Sequence, residues 1–258
     1  MRSREGAPVP APVPVPVLAL DSIDSTNAEA LRRASAGERG PLWITAREQC
    51  AGRGRRGRSW TSPAGNLHAT LLLSDPAPPA AAAQLSFVAG LAIHDAAAAC
   101  APGLAPRLAL KWPNDLLCGG RKIAGILIEG EGSPLAVAVG IGVNCRHHPG
   151  DVAFPATDFA AEGADVDAAT LLDELTAAMA ARLDEWRRGA GFAAVRTAWL
   201  ARASGVGGPV EVRFDGGGAA GRFETIDDAG RLLLRTAEGL AAVAAGDVFP
   251  LDAARRGP

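Results

Sequence analysis

The sequence of 258 residues contains no uninterrupted apolar run of the roughly twenty residues that a membrane-crossing helix requires. Its nearest approach, Leu135 to Val143, has the length of a buried strand, so no membrane association is expected. No export signal is expected either. Arg2 and Arg4 are followed by Ala-Pro-Val-Pro-Ala-Pro-Val-Pro-Val-Pro, and proline at every second position prevents the helix of a signal's apolar segment. Residues 1–16 are therefore expected to be an extended, disordered lead. Cysteine is scarce: Cys50, Cys100, Cys118 and Cys145 lack the paired spacing of a zinc site, and reduced thiols in a cytoplasmic protein are expected. Cys145, His147 and His148 lie close together but lack a fourth ligand, so a surface turn ending at Pro149-Gly150 is expected instead. Finally, no charge of one sign predominates. With a formal net charge of -2 and a single basic cluster, the chain has no second stripe with which to track a nucleic acid backbone.

What the sequence does have is a stretch unlike any core-building segment. In Gln49-Cys-Ala-Gly-Arg-Gly-Arg-Arg-Gly-Arg-Ser-Trp60, the arginines Arg53, Arg55, Arg56 and Arg58 alternate with Gly52, Gly54 and Gly57. Glycine lets a backbone approach a ligand closely, and arginine supplies fixed charge and forked donors, so the expected guest is a small anion. Gly52 to Gly57 formally matches the glycine spacing of a dinucleotide-binding fingerprint. The context fails: Pro63 and Gly65 stand where a helix should begin, and Asp75, at the distance of a ribose-binding acid, lies among prolines. A solvated basic loop would explain the arginines but leave the glycines and Trp60 without a reason. A ligand-cradling loop explains both.

Taken in order, Leu18 to Leu20 reads as a short strand, and Thr26 with Glu29 as a capping box starting a helix through Ala28, Leu31 and Ala34. Leu42 to Glu48 and Leu67 to Leu73 are strand-like runs on either side of the glycine-arginine loop. Ala80 to Cys100 reads as one helix, with His94 an ordinary helix residue. Strands follow at Leu108 to Trp112, Ile123 to Glu129 and Leu135 to Asn144, then helices at Thr170 to Trp186 and Phe192 to Ala203. Beyond Ser204-Gly-Val-Gly-Gly-Pro209, four short strands at close spacing predict a small all-β barrel. The fold class is α+β, with a mixed sheet carrying helices on its face, over residues 17–204, and the β-module over 209–254.

A second constellation joins the loop. Lys111-Trp-Pro-Asn-Asp115 closes one strand and Arg121-Lys-Ile-Ala-Gly125 opens the next, and strand ends are where sheet proteins hold reacting groups. Each alone is an ordinary turn. Together, Ser25-Thr-Asn27, the glycine-arginine loop through Trp60, these two segments and Gly140-Ile-Gly-Val-Asn144 resemble, in this order, the motifs of biotin protein ligases. The resemblance runs from about Asp21 to the carboxy terminus, where the β-module looks like that family's SH3-like domain.

The resemblance implies an enzyme that activates biotin with ATP and Mg²⁺ to biotinyl-5′-adenylate, then transfers biotin to a lysine of a carboxylase carrier domain. It implies that Ser25, Thr26, Gln49 and the backbone at Gly52 receive biotin's ureido ring, and that Asn27 also belongs to the biotin site. Arg53, Gly54 and Arg55 would belong to a mobile loop that closes over biotin and the adenylate. Lys122 would contact the biotin carboxylate and the phosphate, and with Arg55 would carry the catalytic role. Arg58, Trp60 and Lys111 would lie along the nucleotide, Asn114 and Asp115 at its Mg²⁺ end, and Asn144 near the adenine. His68 departs from the family pattern, which is often aromatic there. No DNA-binding domain is expected before the catalytic region, and monomer or homodimer is left open. The nearest alternative is a lipoate protein ligase or lipoyl transferase, and from another class a nucleic-acid-binding module; the loop and Lys-Trp-Pro-Asn-Asp favour biotin.

Overall fold

A computed structural model of the chain describes residues 15–150, 152, 154–214 and 216–251. The expected lead, for residues 1–14, and the last residues of the terminal module lie outside the described residues. In chain order the elements are β1 (Val17–Ile23), α1 (Thr26–Ser35), β2 (Leu42–Gln49), β3 (Leu67–Ser74), α2 (Pro79–Ala82), α3 (Leu85–Cys100), β4 (Leu108–Lys111), β5 (Asp115–Cys118), β6 (Arg121–Glu131) and β7 (Ala136–Val143). There follow α4 (Ala168–Trp186), α5 (Phe192–Leu200), β8 (Pro209–Phe214), β9 (Gly217–Ile226), β10 (Leu232–Thr236), β11 (Gly239–Val243) and β12 (Asp247–Pro250).

The first seven strands form a mixed sheet in the order β1-β2-β3-β7-β6-β5-β4, with only β1 and β2 parallel. Strand alternation decides its two faces. Leu67, Ala69, Leu71 and Leu73 of β3 and Val137, Val139, Ile141 and Val143 of β7 join the main core beneath α3, α4 and α5. The alternate positions, His68, Thr70, Leu72, Ala138, Gly140 and Gly142, face the other way. On that second face α1 covers one end only, over a small cluster of Ala30, Leu42, Ile44, Leu72 and Ala138. The uncovered remainder is where the cavity lies.

Several expectations shift. The helix cap is Ser25, not Thr26: its backbone is extended and its hydroxyl accepts from Ala28 N, while Glu29 pairs with Arg32 and Arg33 instead. The single helix expected over Ala80 to Cys100 is two, because the junction at Ala83-Gln84 tightens to i→i+3 bonds and Gln84 accepts from Trp186 Nε1. By length and composition Pro79–Cys100 could cross a membrane. Leu85, Val88, Leu91 and Ile93 are nevertheless fully buried in the core. The stretch between the strands expected at Leu108 to Trp112 and Ile123 to Glu129 contains a further strand, β5, and Asp247–Pro250 is another.

The terminal module is a five-stranded antiparallel sheet in the order β11-β10-β9-β8-β12. Among the described residues its edge strands β11 and β12 do not pair, so the expected barrel is not closed by a strand ladder. Its inward residues, including Val210, Val212, Phe223 and Leu234, belong to the same apolar cluster as the larger sheet. Trp112 Nε1 donates to Gly230 O across that junction, and Arg202 to Ser204 bond to Leu110 on β4. These contacts bring β12 to the rim of the cavity.

Candidate active site

Three glycines make the cavity floor. Gly142 lies between His68 on β3 and Gly125 on β6, and Gly140 between Thr70 and Leu127. Without side chains they let other groups rest flat on the sheet. The Trp60 indole does so: a Cβ at Gly142 would meet its Nε1 at 2.5 Å, and one at Gly125 would meet the ring at 3.2 Å. Asn27 lies on Gly140 in the same manner. The cavity left above this floor measures about 390 Å³.

One end of it is neutral and hydrogen-bonded. Gln49 Oε1 accepts from Thr26 N at 2.8 Å and Thr26 Oγ1 at 3.1 Å, while its Nε2 donates to Ser62 Oγ at 2.8 Å. Thr70 Oγ1 lies 2.8 Å from Thr26 Oγ1 and 2.7 Å from Asn27 Oδ1. Asn27 Nδ2 donates to Glu129 Oε2 at 2.9 Å, and the same oxygen receives Arg53 Nη2 at 2.9 Å. Because Ser62 also donates to Trp60 O, the chain of bonds starts and ends in the glycine-arginine loop. Ser25, Thr26 and Asn27 are buried, fixed by the first turn of α1.

The loop is a tight hairpin. Gly54 N donates to Arg58 O and Trp60 N to Gly52 O, with Arg56 in the left-handed region at φ 57. Gly52 does not line the cavity; it sits behind, where a Cβ would strike Trp60 O at 2.5 Å, so its service is to let the hairpin close. The residues to which the resemblance assigns a role, Gly52 apart, all line the cavity, whereas Arg56 and Gly57 of the same loop do not.

The opposite end is cationic. Asp115, at the start of β5, lies 3.3 Å from Lys111 Nζ and 2.6 Å from Lys122 Nζ. Burial pushes its carboxyl up, but the two ammonium groups and their hydrogen bonds outweigh that and hold it below the ordinary carboxylate range. For Lys111 burial wins, and its ammonium titrates below the usual lysine range despite Asp115. That ammonium also sits 4.2 Å over the Phe154 ring and 5.8 Å from the Phe249 ring. Arg55 Nη1 donates to Asn114 Oδ1 at 3.0 Å, and burial lowers its guanidinium from the ordinary arginine range, against the pull of Asp247 and Asp115. Arg58 and Arg56 reach Asp247 of β12 at 3.1 and 3.7 Å. Asn144, directly after β7, is buried and donates to Thr157 O.

As arranged, Asn114 and Asp115 do not fit a Mg²⁺ ion. Both carboxylate oxygens of Asp115 face ammonium groups, Asn114 is spent on Arg55 and Ile126 O, and no group of three or more His, Cys, Asp or Glu among the described residues is placed to hold a metal. Cys145 is buried rather than on a surface turn, and His148 pairs with Asp158. Sequence reasoning missed Ser62, Thr70, Glu129, Phe154, Asp247 and Phe249. A polar Thr70 just before the apolar run Leu71 to Leu73 and an acidic Glu129 just after Ile126 to Ile128 were the available signals.

Residues 19–145 match the model of the biotin/lipoate A/B protein ligase family, and residues 206–249 that of the biotin protein ligase C terminal domain. Over 243 residues the chain is 50% identical to a biotin-acetyl-CoA-carboxylase ligase of Paracoccus denitrificans, covering 89% of this chain and 98% of that one. The chain belongs to the biotin protein ligase family. A ligase of the same name from Mycobacterium tuberculosis is 36% identical over 235 residues, covering 88% of this chain and 86% of the relative. The biotin protein ligase of Aquifex aeolicus, solved in complex with biotin and ATP, superposes with a TM-score of 0.77 at 25% identity, covering 90% of this chain and 97% of that one. Biotin protein ligases thus share both the mixed sheet with its helices and the terminal antiparallel sheet described here.

Proposed function

We propose that the cavity activates biotin with ATP to biotinyl-5′-adenylate and then passes biotin to one lysine of a carboxylase carrier domain. What carries the reading is one continuous cavity with a neutral, hydrogen-bonding end around Thr26 and Gln49 and a cationic end around Lys111, Lys122 and Arg55. Biotin has the same two-part character. Its ureido ring is polar and uncharged, and burying it unpaired would cost about 1–3 kcal/mol per group. Its valerate chain ends in a carboxylate that must meet the α-phosphate of ATP, so two anions have to be held together.

In the first step a carboxylate oxygen bonds to the α-phosphorus and the bond to pyrophosphate breaks. Lys122, at the loop side of Asp115, is the cation placed to neutralise both anions, with Arg55 closing over them. Lys111 and Arg58 lie along the polyphosphate, Trp60 and Asn144 along the nucleoside. In the second step the carrier's neutral lysine amine attacks the acyl carbon, the C–O bond to AMP breaks, and the amine loses its proton to solvent. No enzyme thiol takes part, consistent with a cavity lined by no cysteine. Mg²⁺ would come with ATP and has no side chain assigned to it here, and the need for ATP and a carboxylase carrier is met in the cytoplasm.

The test is exchange of labelled pyrophosphate into ATP by the purified chain, with biotin and lipoate in parallel. Exchange with biotin alone is expected. Exchange with lipoate alone would keep the fold and overturn the substrate, and exchange with neither would overturn the adenylation step.

A further inference from the structure

Among the described residues that line the cavity, Trp60, His68 and Asp115 each carry a buried polar atom without a hydrogen-bond partner, and only that of His68 is an uncharged acceptor. His68 is 1% exposed and lines the cavity from β3. Its Nε2 lies 3.2 Å from the Pro63 carbonyl, which can only accept, so Nε2 carries the proton. Burial lowers the ring from the ordinary histidine range more than the Pro63 bond raises it, leaving the imidazole neutral and Nδ1 a bare acceptor. That Nδ1 is buried and has no partner among the described residues. Native interiors seldom keep an acceptor unused, so the atom calls for a partner.

Its place in the sheet says which part of a ligand it meets. Thr70, which bonds Thr26 and Asn27, lies two residues along the same face, about 7 Å away. Asp115 occupies the same cross-sheet row through Gly142 and Gly125 but stands three strands off, about 14 Å away. His68 therefore belongs to the neutral end. Beside it, Gly142 carries the Trp60 indole, whose Nε1 is likewise buried without a partner.

We propose that His68 Nδ1 accepts a hydrogen bond from a ureido N–H of bound biotin and so makes His68 a specificity-determining residue of the site. The proposal rests on the biotin reading of the cavity. It explains how the site would reject a ring without N–H groups, such as the dithiolane of lipoate, since that ring would leave Nδ1 buried and unpaired.

The experiment uses the full chain with ¹⁵N-labelled histidine. On saturation with biotin the Nδ1 resonance of His68 is expected to move upfield, as an unprotonated ring nitrogen does on accepting a hydrogen bond. By calorimetry, His68→Phe is expected to weaken biotin binding roughly tenfold and leave ATP binding unchanged. His68→Asn, whose Oδ1 stands in for Nδ1, should recover most of the loss, whereas His68→Gln, which replaces only Nε2, should not. An unmoved Nδ1 resonance in the biotin complex, or equal losses in the Asn and Phe variants, would overturn the proposal. Failure of the unmodified chain to bind biotin at all would overturn the reading beneath it.

Discussion

The Asn27 carboxamide rests directly on the Cα of Gly140, so closely that a side-chain carbon at that glycine would fall on Asn27 itself. Asn27 in turn ties Thr70 to Glu129 and, through Glu129, to Arg53 of the loop. Gly140→Ala is therefore expected to displace the first turn of α1 from the floor of the cavity. Overpacking of this kind costs about 1–3 kcal/mol. The biotin dissociation constant should rise at least tenfold while that of ATP changes little, a contrast that isothermal titration reads directly. Equal losses for both ligands would show that Gly140 supports the whole cavity and not its neutral end.

Arg55 spans the loop and the charged end. Its guanidinium bonds Asn114 and approaches Gly246 O of the terminal module at 3.4 Å. Arg55→Gly should keep adenylate synthesis, because Lys122 and Lys111 remain, but loosen the loop over the intermediate. Early escape of a reactive acyl-adenylate would label lysines on unrelated proteins. Mass spectrometry of a bystander protein, with the lifetime of adenylate on the enzyme measured alongside, checks this; tight retention by the variant would refute it.

Much of this site is legible in the sequence because its residues come in short motifs at strand ends. Gln49 through Trp60 and Lys111 through Gly125 are each local signals, and glycines at 140 and 142 mark a face that must stay flat. What escapes is set by distance along the chain. Glu129 meets Arg53 across 76 residues. Phe154 and Phe249 reach Lys111 from a loop and from the terminal module, and neither has a composition that advertises a role. β5 is missed because four residues between a proline turn and a glycine turn give alternation too little length to show. The cap is misplaced by one residue because Ser25 and Thr26 are both good caps, and only the backbone turn at Ser25 decides between them.

Lys122 is the cation whose removal separates chemistry from binding. It pairs with Asp115 and sits 5.3 Å from the Trp60 ring, yet its side chain remains a quarter exposed toward the cavity. Lys122→Ala should slow biotin-dependent pyrophosphate exchange by about 10²–10³-fold, the usual consequence of removing a preorganised charge from a developing one. Transfer from chemically made biotinyl-5′-adenylate to the carrier should fall much less. Exchange at the unmodified rate would remove Lys122 from the first step.

Asp115 gives the site a pH signature. Its carboxyl is held below the ordinary value of 3.8 by Lys122 and Lys111, although burial opposes this. A carboxyl with a depressed folded value adds stability that is complete above the unfolded value and disappears as pH falls through the folded one. Asp115→Asn leaves two ammonium groups facing each other without a counter-charge, and breaking such a buried arrangement costs about 3–5 kcal/mol. The stability gap between the unmodified chain and this variant, measured by urea unfolding, should thus be full at neutral pH. It should hold down to about pH 5 and close only as the unmodified chain takes up its proton below pH 3.8. A gap that closed near pH 6 would place the titrating group elsewhere, and one that widened in acid would reverse the sign of the Asp115 shift.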